Sequence, residues 1–180
     1  MDGSSTRTET IYSIGHSTRS SRDFIALLRR HGVEAIADVR LIPKSARHPH
    51  FAREVLERTL PTEGIAYQHF IDLGGRRRPR RDSVNTAWRV EAFRGYADYM
   101  RTDPFRHALA SLRSFARLAP TAMMCAEAVW WQCHRRLLAD RLTVAGVTVL
   151  HILSDAVPAR HELSEFAREV SGEVIYPGLL

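Results

Sequence analysis

The chain has 180 residues, 44% of them hydrophobic, and carries 26 Lys and Arg against 20 Asp and Glu, a formal charge of +6. That size suits one soluble domain with a single core, and no apolar run approaches the length of a membrane span, so a cytoplasmic protein with no membrane partner is expected. The two cysteines cannot form a disulfide framework, no spaced ligand motif for a metal ion is legible, and no cofactor is expected.

The first ten residues are polar and lack the apolar core of a secretory signal, so they read as a flexible terminus ahead of one domain over residues 11–180. Residues 11–14 form a short β-rich run that ends in Gly15-His16-Ser17. Ser20 and Asp23 resemble a capping box, and Phe24, Leu27, Leu28 and His31 keep helical spacing up to Gly32. Residues 33–39 are a second strand, ending in Asp38-Val39-Arg40. Phe51, Val55 and Leu56 mark a second helix that Pro61 ends or closely follows, and residues 65–70 a third strand. Its exit is a glycine turn running into the arginines of residues 76–81, a surface loop.

Helices are predicted over residues 90–100 and 105–118, a fourth strand over 122–125, a helix over 133–145, and a fifth strand over 147–153 after the stop at Gly146. Residues 163–170 read as a helix and 174–176 as an edge strand. The alternation predicts an α/β, Rossmann-like domain: an open, mostly parallel sheet of about five strands with helices on both faces.

Such sheets bind ligands outside the carboxyl ends of their strands, which directs the search for chemistry. The stretch from Thr121 to Arg136 delivers Glu127 just beyond a buried strand, and a carboxylate there is costly unless paired or working. His16 suits a general base and Ser17 a ligand contact, while Asp38 and Arg40 either form a buried ion pair or supply a base and an anion ligand. Cys133, at a helix amino terminus beside Arg135, has the setting of a reactive thiol, with Arg135 an anion ligand. His134 adjoins it, but neighbours on a helix face different ways, which argues against a Cys133–His134 pair. Cys125 reads as core.

The pI near 10.0 suits a nucleic-acid or nucleotide partner, because phosphate contacts dominate such affinity. Lys44 is the only lysine, so the basic residues are otherwise arginine, a bias that genome composition also produces.

The ordered motifs GHS (15–17), DVR (38–40) with Pro43-Lys44-Ser45, LGGRR (73–77), FRGYADYM (93–100), CAEA (125–128) and CHR (133–135) resemble the Domain of Unknown Function 488 family, from about Ile11 to Ile152. The resemblance implies an α/β domain with a polar cleft and supplies no settled reaction. Val129-Trp130-Trp131-Gln132 stand where the commoner family pattern has a more polar loop, and offer two aromatic faces for stacking a base. The motifs also place Lys44, Arg77, Arg94 and Tyr96 as substrate contacts.

The favoured expectation is an enzyme on a nucleic acid or nucleotide, most sharply a DNA glycosylase-like hydrolase of DNA repair. Asp38 and Glu127 form its carboxylate pair, His16 assists, arginines hold phosphate, and a tryptophan stacks an extruded base. The alternatives are a thiol enzyme using Cys133 on an anionic small molecule, and a non-catalytic nucleic-acid-binding module. The oligomeric state is not legible.

Overall fold

In the computed structural model, which describes residues 9–44 and 46–178, the chain winds five α-helices about a six-stranded, mostly parallel sheet. The strands are β1 (Thr10–Gly15), β2 (Ala35–Asp38), β3 (Ala66–His69), β4 (Thr121–Cys125), β5 (Thr148–Ile152) and β6 (Ala159–Arg160), in the order β3-β2-β4-β1-β5-β6. All pairings are parallel except β5 with β6. The helices are α1 (Ser21–Arg30), α2 (Arg53–Thr62), α3 (Glu91–Tyr99), α4 (Asp103–Ala116) and α5 (Arg135–Val144). No helix among the described residues is long and apolar enough to cross a membrane.

The sheet is apolar on both sides, as a parallel sheet covered by helices must be. Alternate residues of a strand serve opposite faces. Ile14, Ala122 and Met124 pack with Phe24, Leu27 and Leu28 of α1 and Leu56 and Leu60 of α2. Ile11 and Met123 face the other way, onto Tyr96 of α3, Leu109 and Leu112 of α4, and Leu138 of α5.

Local signals place the element ends. The Ser20 hydroxyl accepts from the Asp23 amide at 3.1 Å and donates to the Asp23 carboxylate, so the capping box starts α1, and Gly32 at φ +64° ends it. Pro61 sits inside the last turn of α2.

The expected mostly parallel sheet of about five strands is present, with β6 added as a short antiparallel edge. Three other expectations need correction. Residues 163–170 form no helix: Arg168–Val170 is a strand, β7, paired with β8 (Glu173–Ile175) in a separate hairpin. Ser171 and Gly172 both have positive φ there, the two-residue turn whose twist matches a hairpin. Residues 174–176 thus belong to that hairpin and not to an edge of the main sheet. The strand β1 begins at Thr10, and Glu9 pairs with Arg113 of α4 at 2.8 Å. The flexible terminus otherwise falls on residues 1–8, outside the described residues, as does Ser45.

Candidate functional site

The connections from β1 and β4, neighbours in the sheet, leave toward opposite faces, β1 to α1 and β4 to α5. Their carboxyl ends therefore flank a crevice, the place where open α/β sheets hold ligands. The strand tips are laced together: the His16 amide donates to Cys125 O, that of Ser17 to Ala126 O, and that of Val39 to Met124 O, at 2.9 to 3.0 Å. Gly15 is required here, because a Cβ on it would lie 1.8 Å from the Glu127 carbonyl oxygen passing above it.

The cleft has two lobes. One, of about 330 Å³, is lined by Cys125, Cys133 and His134 together with Lys44, Arg76 and Phe93. The other, of about 510 Å³, includes His16, Ser17 and Arg47. Arg40, Lys44 and Glu127 border both. Glu127, Lys44, Arg47 and Arg76 are exposed, and the Glu127 carboxylate makes no hydrogen bond or ion pair with another described residue.

Cys133 and His134 correct the sequence reading. Cys133 is extended (φ −130°, ψ 155°) and α5 starts only at Arg135, so the rule for neighbours on a helix does not apply. The Cys133 Sγ lies 3.4 Å from His134 Nδ1, and Cys125 Sγ 4.0 Å from the same atom. Cys125 is thus a cleft residue as well as a strand end. His134 Nε2 donates to Val39 O at 2.9 Å, because a carbonyl can only accept, and its Nδ1 faces the thiols. Hydrogen bonding between the thiols pushes Cys125 well above the ordinary thiol range and holds Cys133 well below it, with burial opposing and His134 and Arg135 reinforcing the drop at Cys133.

Tyr96 and the LGGRR loop, expected as substrate contacts, build the wall behind His134. The Tyr96 ring packs edge-on against the imidazole at 5.1 Å, its hydroxyl donates to Leu73 O, and a Cβ on Gly75 would lie 3.0 Å from His134 Nδ1. Arg77 stacks on Tyr99 and donates to Gly74 O, while Arg94, half-buried on α3, faces Glu91 at 3.9 Å. Neither borders the cleft. Arg76, which the sequence did not single out within its run, does.

Asp38 is fully buried. Its carboxylate accepts from Arg40 Nε at 2.8 Å and from the Tyr67 hydroxyl at 2.6 Å, so it is committed to an ion pair and does not line the cleft. Arg40 also donates to His16 Nε2 at 3.3 Å. His16 gives its Nδ1 proton to Ser17 O and stacks on Phe51. Burial, helped by the Arg40 guanidinium and opposed by the Ser17 carbonyl, lowers its pKa to about 4, so the ring is neutral at pH 7.

Arg135 lies beneath the cleft, 1% exposed, donating to Ser13 Oγ and to Glu127 O. It holds the loop and offers no face to a ligand. Trp130 stacks flat on His151 at 4.1 Å, and Trp131, 42% exposed, meets Trp130 edge-on. Neither tryptophan borders the cleft, so the expected stacking platform is not part of this site.

Behind the tryptophans, Asp140 accepts from His161, Ser164 and Tyr176, and His161 bonds His151. No residue of that network was singled out in the sequence.

No curated protein and no solved structure matches the chain. The family described as domain of unknown function DUF488 matches residues 20–142, well over half of the chain and most of the elements that frame the cleft, and the protein belongs to that family.

Proposed function

We propose that the chain is an enzyme acting by hydrolysis on an anionic substrate of nucleotide size or smaller, bound at the carboxyl ends of β1, β4 and β2 with Glu127 moving the proton. The observation that carries the reading is the contrast between two carboxylates. Asp38 is consumed by Arg40 and Tyr67, whereas Glu127, among the described residues, is unpaired in a cleft whose other exposed charges, Lys44, Arg47 and Arg76, are positive. An unpaired carboxylate among cations is suited to taking a proton from a nucleophile while the cations hold the substrate's negative charge. The lobe volumes, about 330 and 510 Å³, fall in the range of small-molecule sites and favour a nucleotide-sized ligand over an extruded base stacked on tryptophan. With Asp38 engaged, the support is for one working carboxylate and not for a glycosidase-like pair.

The test is turnover of a panel of nucleotides, nucleosides and sugar phosphates by the full chain and by Glu127→Gln. The expected result is one accepted class whose turnover falls about 10²–10⁴-fold in the variant, with affinity retained. Equal turnover by both proteins would overturn it. A second reading, Cys133 as nucleophile with His134 as its base, is favoured by their 3.4 Å contact; a covalent adduct on Cys133 sulfur, formed as the substrate's leaving group departs with its electron pair and the proton that His134 took, would support it.

A further inference from the structure

We propose that Cys125, Cys133 and His134 form a binding site for one thiophilic divalent cation, Zn²⁺ foremost, with a fourth coordination position open to the cleft. The three donor atoms lie within 4.8 Å of one another, and the two contacts to Nδ1 are 3.4 and 4.0 Å. Tetrahedral zinc, with bonds of about 2.3 Å to sulfur and about 2.0 Å to nitrogen, sets its donors about 3.5–3.8 Å apart, so the two contacts to Nδ1 need change by no more than about half an ångström and the two sulfurs close on each other by up to about 1 Å.

The surroundings are those of a ligand set already oriented. Metal-bound histidines characteristically give their other ring proton to a carbonyl or carboxylate, and His134 gives its Nε2 proton to Val39 O. Tyr96 and Gly75 fix the plane of the ring. Cys125 ends a strand buried along its whole length, and Cys133 stands two residues before α5 with its amide held by Trp130 O at 3.2 Å.

Two thiolates and a neutral imidazole give a neutral complex with a dication, which suits a floor that already carries Arg40 and Arg135 nearby. Sulfur and imidazole donors select zinc-like ions over Mg²⁺ or Ca²⁺. Three protein ligands facing an open cleft are the pattern of a catalytic centre and not of a closed structural one.

The binding stands on this geometry alone; its chemical use rests on the reading of Glu127 above. Water in the fourth position gives one proton to Glu127, and the resulting hydroxide forms a bond to the substrate's electrophilic atom. The bond to the leaving group breaks with its electron pair, and the leaving group takes the proton back from Glu127. One water is consumed and no electrons change hands.

The test titrates the chelator-treated full chain with Co²⁺, which reports sulfur ligation by charge-transfer absorption and tetrahedral geometry by its visible bands. One equivalent is expected to bind with both signatures, and Mg²⁺ not to compete. Cys125→Ser and Cys133→Ser are each expected to weaken binding by more than about 100-fold. In case a variant fails to fold, the wild type carries a second readout: stoichiometric Zn²⁺ is expected to protect both thiols from iodoacetamide. Absence of thiolate–cobalt absorption, or alkylation that ignores Zn²⁺, would overturn the site. Metal binding with a fully active Glu127→Gln sinks the Glu127 reading and leaves the site standing; an inactive Glu127→Gln in a chain that binds no metal does the reverse.

Discussion

Replacing Asp38 by alanine separates a structural carboxylate from a catalytic one. Asp38 is wholly buried and its Arg40 partner nearly so, with side-chain exposures of 0% and 6%. The carboxylate accepts from Arg40 Nε, Arg40 Nη2, the Arg40 amide and the Tyr67 hydroxyl. Asp38→Ala strands the guanidinium in the interior beside His16 and Tyr67, and breaking a buried pair from one side costs about 3–5 kcal/mol. Domains are stable by only about 5–15 kcal/mol, so about a fifth or more of the total is at stake. The unfolding midpoint is expected to fall on the order of 10 °C. Removing both charges in Asp38→Ala/Arg40→Met is expected to recover much of the loss, since apolar replacement of a whole buried pair is often neutral. Urea unfolding followed by far-UV circular dichroism, closed as a double-mutant cycle, gives the coupling. A cost below about 1 kcal/mol for Asp38→Ala, with no coupling to Arg40, would refute the assignment.

Gly15→Ala is expected to destabilise the chain by at least about 1–3 kcal/mol and to disturb the loop that carries Glu127, because the added methyl meets backbone 1.8 Å away; an unchanged melting temperature would contradict that close crossing. Burial lowers the pKa of His151 to about 3 and of His16 to about 4, against 6.5 for a free ring. The unfolded chain therefore binds more protons below pH 6.5, and stability, complete above that value, is lost toward the folded pKa values at about 1.4 kcal/mol per histidine per pH unit. Urea unfolding from pH 7 to 4.5 checks it, with a shallower slope expected for His151→Phe and a flat wild-type profile the contrary result. Tyr96→Phe leaves the buried Leu73 carbonyl without its donor and is expected to cost about 1–3 kcal/mol in the same assay.

The sheet was legible because its strands are short apolar runs separated by helices with clear ends, a start at Ser20 and stops at Gly32 and Gly146. The strand tips followed from the fold class, which is why His16, Arg40 and Glu127 border one cleft. Periodicity does not report the backbone angles at a helix entry. Residues 133–145 look like one helix, yet Cys133 is extended, and that single departure turns its thiol onto His134. Side-chain chemistry alone also cannot tell a ligand from a brace: Tyr96, Arg77 and Arg135 carry suitable groups for a substrate but spend them on Leu73, Tyr99 and Glu127. The hairpin at the carboxyl end was written in Ser171-Gly172, a turn signal overridden by the helical spacing before it.

The claim that an anionic ligand sits over the thiols is tested most directly by the rate at which iodoacetamide alkylates Cys133 in the metal-free chain as inorganic pyrophosphate is added. Saturable protection is expected, weakened in Lys44→Ala and Arg76→Ala, because those cations border the lobe that Cys133 floors. An alkylation rate independent of pyrophosphate at every concentration would contradict it.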